Sequence, residues 1–261
     1  MQKRHLDRQT YFNELASTSQ EYYIDYLAPY KKLGPGVRVL EIGCAEGGNL
    51  LPFAQAGCTV RGIDLTAQRI EQAKEFFAAK GCTGSFSTMD FLLMEPQIGQ
   101  QYDIILIHDV IEHVLQKELF IAHIDPFLAP SGVIFWRFPA WQMPFGGHQQ
   151  ICHGHLSSHL PWSHLLPQGL YGALLHAMGE SDRCVEELRQ IKECRMPISR
   201  FERLMKKGGY AILNRTLWFI NPHYQQKFNL RPRRLYPVVS RMRYLRNFFS
   251  TSCYYITRKA E

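Results

Sequence analysis

A doubly wound, mostly parallel α/β sheet is the fold class this sequence predicts, and two observations carry the prediction. From Val37 to Phe138, strand-like apolar runs alternate with helix-like amphipathic ones. A glycine-rich turn, GCAEGG, follows directly on the first strand-like run. Right-handed crossovers between parallel strands place helices on both faces of such a sheet.

The elements follow in order. VRVLEIG reads as a buried strand, because Val37, Val39, Leu40 and Ile42 lie between turn residues. NLLPFAQAG is a helix ending at Gly57, and TVRGIDL is the second strand. TAQRIEQAKEFFAAKG is the second helix, with Thr66 as N-cap and Gly81 just past its end. GSFSTMD is a short third strand, YDIILIHDV the fourth, IEHVLQKELFIAHIDPFL the helix behind it, and GVIFWRF the fifth. The alternation breaks at Pro139. A stretch rich in Gly, His, Pro and Trp runs to Pro197, too long for a plain loop and therefore an inserted cap. SRFERLMKKGGYAILNRTLWFI then resumes as helix and strand, and STSCYYITRK is a last strand. Near the N-terminus, Tyr11, Phe12, Leu15, Tyr22, Tyr23 and Leu27 form the apolar face of a helical prelude.

Composition bounds the class. The 261 residues are 46% hydrophobic and 20% charged, which supplies ample core for a globular chain. No apolar run reaches the ~20 residues that span a bilayer, and MQKRHLDRQT has no signal-peptide character. Seven scattered cysteines without a C-x-x-C pair suit a reducing compartment. A cytoplasmic location is therefore expected. The formal net charge is +7, and its placement is uneven. Lys227 to Glu261 holds nine Lys or Arg and one acid, a balance of +8, so the rest of the chain stands at −1.

The glycine turn is the informative motif. A dinucleotide would set its pyrophosphate on such a turn, with Asp64 at the end of the second strand as the ribose ligand. Glu41 at the strand end and Glu46 inside the turn oppose that reading. Two carboxylates in a partly desolvated cleft repel a pyrophosphate by a few kcal/mol at an effective dielectric of ~20. A ligand with a cationic amine and no phosphate reverses the sign, and S-adenosylmethionine is one.

At this point the sequence resembles the class I S-adenosylmethionine-dependent methyltransferases. The resemblance covers roughly Val37 to Phe138, with a weaker return from Phe201 onward. The family's first motif, an acid followed by G-x-G-x-G, appears as E-I-G-C-A-E-G, with Ala45 at the middle glycine. The resemblance implies a Rossmann-like methyltransferase fold with seven strands and a helical cap insertion. It also implies that Glu41, Gly43, Cys44, Ala45 and Gly47 form the first part of the cofactor site. Asp64 and Leu65 would stand at the ribose, and Asp90 would contact the adenine amino group with Phe91 beside the ring. His108, Asp109 and His113, from IHDVIEHV, would stand near the methionine part and the methyl group. The cofactor implied is S-adenosyl-L-methionine, with S-adenosyl-L-homocysteine as product.

The fourth-strand motif narrows the chemistry. It lacks the N-P-P-Y or D-P-P-Y loop of exocyclic-amine methylases, and no cysteine follows a proline as in cytosine-C5 enzymes. D-V-I-E-H is similar to the corresponding stretch of O-methyltransferases of quinone biosynthesis and of many small-molecule relatives. Asp109, Glu112 and His113 have the spacing of one helix face and could hold a divalent metal. The reading carried forward assigns no metal and lets Glu112 and His113 line the pocket. In the cap, five histidines crowd between His148 and His164, in spacings that match no standard zinc pattern. His148, after Gly146 and Gly147, is the candidate catalytic base.

The expectation is thus an O-methyltransferase of a small molecule, a quinone, phenolic, glycan or lipid precursor. The alternatives are an RNA methyltransferase and a non-catalytic cofactor-binding module. Residues 1–30 are expected as an N-terminal helical lid and 31–138 as the cofactor-binding half of the domain. Residues 139–197 are expected as the cap for the acceptor, and 198–261 as the end of the domain with its basic tail. In PVVSRMRYLRNFF, an apolar helical stripe is flanked by Arg241, Arg243 and Arg246. That helix would contact an anionic membrane or RNA weakly, or dock on its own domain.

Overall fold

The computed structural model describes residues 7–97 and 99–260. The first six residues of the polar N-terminus and Glu261 of the tail lie outside them. The strands are β1 (Arg38–Ile42), β2 (Thr59–Asp64), β3 (Ser85–Thr88), β4 (Tyr102–His108), β5 (Leu128–Phe138), β6 (Tyr210–Ile220), β7 (Arg233–Arg234) and β8 (Ser252–Lys259). They form one sheet in the order β3-β2-β1-β4-β5-β8-β6-β7. The first five run parallel, and β8, β6 and β7 join antiparallel. The described residues therefore hold eight strands where seven were expected. The additional one is the two-residue β7, which extends the edge beside Trp218 and Ile220.

Alternation along the strands divides the core. Leu40, Ile105 and Trp136 face one layer with Phe201, from the helix Ile198–Lys207. Val39, Ile104 and Phe135 face the other, with Phe12, Tyr23 and Tyr254. Period 2 puts Glu41 on the second face, under the N-terminal segment. That segment is the helix Arg8–Thr18, a π turn at Ser19–Tyr23 and the turn Ile24–Leu27. Phe12, Leu15, Tyr23 and Leu27 of its expected apolar face are buried.

Most local signals land where the sequence puts them. Gly57 and Gly81 take positive φ at the ends of their helices. Thr66 holds the N-cap position of the helix Ala67–Ala79, without a side-chain cap bond. The helix expected from Ile111 begins only at Lys117 and gives way after Ile124 to a short 3-10 turn. Residues 110–116 are instead a turn, closed by the His113 amide donating to the Val110 carbonyl.

Between β5 and β6 stands the helical cap. It contains the helices His155–His159, Gln168–Ala177 and Asp182–Cys194. Cys152, Tyr171, Leu175, Cys184, Val185 and Leu188 give it a small core of its own. The basic tail departs from expectation. Its stripe breaks into two short helices, Pro237–Arg241 and Arg246–Phe249. Arg246 is buried, and its Nη2 meets Glu202 Oε2 at 2.5 Å. Glu202 also accepts from Arg215 at 2.9 Å and from the Tyr255 hydroxyl at 3.1 Å. One of the three arginines assigned to a docking face is thus a structural ion pair.

Candidate active site

The site lies at the carboxyl ends of β1, β2, β4 and β5, where open parallel sheets bind ligands. Gly43, Ala45 and Gly47 all take positive φ, at 73°, 48° and 81°. The alternate spacing of the motif matches this alternating left-handed backbone, and Ala45 adopts it despite its Cβ. A Cβ on Gly43 would meet Val110 Cγ2 at 2.5 Å, and one on Gly48 would meet the Phe12 carbonyl at 2.5 Å. The turn is therefore clamped between the loop after β4 and the N-terminal helix. Cys44 turns its side chain inward and is buried, so only its backbone belongs to the turn. Burial pushes the Cys44 thiol well above its usual range.

Asp64 closes the turn from β2. Its Oδ2 accepts the Ala45 amide at 3.0 Å and its Oδ1 the Thr66 amide at 2.8 Å. Leu65 beside it is 72% exposed. Asp90 caps the turn after β3, with Oδ1 accepting the Leu92 amide at 2.9 Å. The ring of Phe91 is buried, 4.9 Å from His123 and 5.3 Å from both Phe120 and Phe127. It is a core ring and offers no open face to a nucleobase, whereas Leu65 does.

The two carboxylates of the turn stand in different surroundings. Glu46 is fully buried and faces Arg8 at 3.3 Å and Arg69 at 4.0 Å. Its charge is compensated within the protein, so it drops out of the electrostatic choice between ligands. Among the described residues, no cation is paired with Glu41. Asn49 Nδ2 donates to Glu41 Oε1 at 2.7 Å, while Oε2 is buried without a partner. Burial raises Glu41 to about 8, against the Asn49 bond that lowers it and with Asp64 adding to the rise. Asn49 Nδ2 also lies 2.7 Å from His108 Nδ1. Burial, with Arg137 and His223, holds His108 well below its usual range, so its imidazole is neutral. A neutral ring accepting at Nδ1 carries its proton on Nε2, which lies 3.5 Å from Asp109 Oδ2. The chain Glu41–Asn49–His108–Asp109 thus runs across the ends of β1 and β4.

Asp109 has φ 53° and donates its amide to the Arg137 carbonyl at 2.8 Å. Its carboxylate is ion-paired with the Arg137 guanidinium. Arg137 is buried near the end of β5, and its Nε has no partner. Sequence reasoning passed over this arginine. The one available signal was a charged residue in the buried run GVIFWRF, where a cation requires a partner.

The metal-ligand set that helical spacing would have allowed, Asp109 with Glu112 and His113, does not form as one helix face, because residues 110–116 are a turn and Asp109 is engaged by Arg137. Another set assembles. Donor atoms of Glu112, His113 and His148 lie within 4.8 Å of one another. The rings of His113 and His148 are 4.8 Å apart. Glu112 is buried, neither carboxylate oxygen has a partner, and burial raises it to about 8. Beneath it, buried Lys117 bonds the Val114 carbonyl and is lowered to about 8, again mainly by burial. His148 is lowered to about 3 by burial, with His113, His164 and Arg137 adding to the effect. A base that weak is poorly matched to a phenolic proton with a pKa of about 10. Glu112, raised to about 8, is largely protonated at pH 7 and becomes a proton acceptor as the pH approaches that value, while neutral His148 offers a ring-nitrogen lone pair. An orphaned carboxylate beside two imidazoles also fits a divalent cation. The remaining cap histidines scatter: His164 is buried between Gln149 and the Trp141 carbonyl, and His155 and His159 stack at the surface.

Behind the cap segment that carries His148 lies a cavity of about 730 Å³, walled by that segment, the helix His155–His159 and the helix His223–Phe228.

Comparison with known proteins covers these elements unevenly. Residues 40–134 match the family model described as "Methyltransferase domain", a match that ends before the cap. The ubiquinone biosynthesis O-methyltransferase of Chelativorans sp. (strain BNC1) is 37% identical over 102 residues, 38% of this chain and 39% of that protein. The protein of the same description from Bartonella bacilliformis is 34% identical over 134 residues, 48% of this chain and 50% of that one. The chain therefore spans at most about half the length of these curated relatives. Among solved structures, magnesium protoporphyrin IX methyltransferase from Synechocystis PCC 6803 with bound SAH gives a TM-score of 0.55 at 15% identity, over 95% of this chain and 84% of that one. The plantazolicin methyltransferase bound to SAH and a triazolic analogue gives 0.58 at 17% identity, over 98% and 88%. At such identities the likeness is one of fold.

Proposed function

We propose, from the premise that residues 40–134 are a methyltransferase domain in a sheet of that fold, that the chain is an S-adenosylmethionine-dependent O-methyltransferase of a small molecule. The observation that carries the reading is the Asp64 carboxylate. Two backbone amides fix it at the mouth of a turn left-handed at residues 43, 45 and 47. Asp64 would accept the ribose hydroxyls. Leu65 would cover the adenine, and Asp90 would read its edge. The unpartnered oxygen of Glu41 would receive the methionine ammonium, a cation that no described residue supplies to it, while neutral His108 would hold the Asn49 amide that orients Glu41. The relatives described as ubiquinone biosynthesis O-methyltransferases support a hydroxyl acceptor.

Methyl transfer from a sulfonium needs alignment at about 3 Å and exclusion of water more than it needs acid–base chemistry. A proton must still leave the acceptor hydroxyl, and Glu112 would take it in its ionised form, which predominates above about pH 8, with His113 and His148 holding the acceptor oxygen in line. A divalent cation, when held by Glu112, His113 and His148, would supply acidity at that oxygen. Residues 139–197 would shape the acceptor pocket, as their position over these groups suggests.

The exposed tail supports a second, weaker contact. Tyr236, Val238 and Tyr244 are 69%, 59% and 77% exposed beside the exposed Arg241 and Arg243. Apolar, aromatic and cationic side chains mixed in this way suit an anionic membrane surface, and single-stranded RNA would stack on the same tyrosines. Among the described residues, no helix is long and apolar enough to cross a membrane.

The test is incubation with methyl-labelled S-adenosylmethionine and a panel of catechols, phenols and quinols, read by mass spectrometry. Labelled O-methyl ether formed on one member supports the reading. Tight cofactor binding with no transfer to any member would favour the non-catalytic module.

A further inference from the structure

The cavity behind the cap has a one-sided wall. Phe145, Phe228 and Leu230 give it apolar surface, while His153, His155, His159 and Lys227 are its ionisable basic groups. No Asp or Glu occurs among the described residues that line it. The carboxylate of Glu180 stands 3.5 Å from His153 Nδ1. It is buried, and it accepts the His153 and Gly154 amides at 3.1 and 2.9 Å as well as the Ser157 hydroxyl. These bonds anchor the loop, and Glu180 is not among the residues that line the cavity. An apolar enclosure of ~300–1,000 Å³ with a few converging polar groups is the usual form of a small-molecule site. Here the ionisable groups among the described lining residues that can carry charge near neutral pH, three histidines and a lysine, are basic, and Gln150, Ser158, Tyr224 and Thr251 add neutral polar groups.

The cavity is tied to the reaction site by one short segment. Met143, Pro144 and Phe145 line it. Three residues further on, His148 donates its amide to the Phe145 carbonyl at 3.1 Å and sets its ring 4.8 Å from His113. The segment cannot slide freely. A Cβ on Gly146 would meet the Trp141 carbonyl at 2.1 Å, and one on Gly147 would meet His164 Cβ at 2.3 Å. A ligand seated against Phe145 therefore bears on the backbone that places His148.

We propose that this cavity binds the non-reacting part of the acceptor, and that this part is an apolar body carrying a negative charge, such as a carboxylate, sulfonate or phosphate. The proposal rests on the methyltransferase reading above for the word acceptor, while the binding itself does not. The apolar body lies against Phe145, Phe228 and Leu230, and the anion meets Lys227 and the histidine edge. Filling the cavity braces the segment 143–148 and so sets His148 over the reacting hydroxyl. A neutral acceptor of equal size gains the apolar contact and lacks the ionic one.

The experiment follows the fluorescence of anilinonaphthalene sulfonate bound to the full chain and its displacement by decanoate or decanol, which share an apolar body. Decanoate is expected to displace the dye at least about tenfold better. The advantage is lost in Lys227→Gln/His159→Ala, and both competitors weaken in Ser158→Trp, which fills the cavity from the helix His155–His159. Phosphatidylglycerol vesicles are a parallel arm. Displacement by free decanoate assigns a soluble acid, and displacement by vesicles alone assigns a lipid headgroup as the anion. Equal displacement by decanoate and decanol, or no effect of either variant, overturns the proposal. Calorimetry with S-adenosylhomocysteine on the same samples separates the two claims: its binding survives in the variants, and its absence in the wild type would count against the methyltransferase reading instead.

Discussion

The carboxylate of Asp109, held at positive φ just past β4, is ion-paired with the guanidinium of Arg137 near the end of β5. The pair joins two adjacent parallel strands at the point where a methyl group would be transferred. It also withdraws Asp109 from metal binding. Arg137 is buried while the Asp109 side chain is 39% exposed, so solvent screens part of the interaction.

Arg137→Met should destabilise the protein by about 1–3 kcal/mol, below the range for a fully buried pair because of that screening. Asp109→Asn should cost at least as much, because it leaves the buried guanidinium without its counter-charge. The double variant should lose less than the sum of the two, since each single change leaves the other member unpaired. Urea denaturation of all four proteins checks this, and strict additivity would mean that the two groups act independently.

Glu41 should couple cofactor binding to proton release. It is raised to about 8 in the empty site, so at pH 7 it is largely protonated. The arriving ammonium favours the ionised form, and the proton leaves. Calorimetry in buffers of different ionisation enthalpy should show close to one proton released per S-adenosylhomocysteine at pH 7. Glu41→Gln should bind more weakly with no release. Identical heats in all buffers would contradict the assignment of the ammonium to Glu41.

Glu112 should make stability fall as pH rises. Its carboxyl loses a proton near 4.5 in the unfolded chain and near 8 in the folded one. Between those values folding takes up a proton, so stability declines with rising pH and levels off above about 8. Glu41 acts in the same sense. Glu112→Gln removes its own share, so the variant should gain on the wild type from pH 5 to pH 8. Melting curves at pH 5, 6.5 and 8 decide it, and parallel curves would place the Glu112 pKa near its ordinary value.

The tail should bind anionic vesicles weakly through Arg241 and Arg243. Each cation near a membrane contributes about 1 kcal/mol, and screening acts over ~8 Å at physiological salt. Sedimentation with phosphatidylglycerol vesicles at low salt should be reduced in Arg241→Ala/Arg243→Ala and abolished at moderate salt. Arg246 is left intact because its pair with Glu202 is structural. Equal recovery with neutral vesicles would return the tail to a packing role.

Much of the fold was legible because its signals are local. Buried parallel strands need continuous apolar runs, and left-handed turns need glycine at alternate positions, so β1 to β5 and the turn at residues 43–47 could be read directly. The helix start at Lys117 could not. Residues 110–116 have helical periodicity, yet the Asp109–Arg137 pair and the close approach of Val110 to Gly43 hold them in a turn. Both contacts are remote in sequence. The roles of Glu46 and Arg246 were hidden for the same reason, since their partners Arg8, Arg69 and Glu202 arrive from distant elements. His148 was singled out by its glycines, but burial alters what its ring can do, and burial is a property of the assembled cap.

The central claim is that the glycine turn and Asp64 hold S-adenosylmethionine rather than a dinucleotide, and calorimetry tests it most directly. S-adenosylhomocysteine and NAD are titrated into the wild type and into Asp64→Ala. The account predicts saturable binding of S-adenosylhomocysteine, much weaker or absent binding of NAD, and an affinity about 10- to 100-fold lower in the variant, the loss of charge-assisted hydrogen bonds worth about 1.5–3 kcal/mol. NAD bound more tightly than S-adenosylhomocysteine, or an Asp64→Ala affinity equal to the wild type, would contradict it.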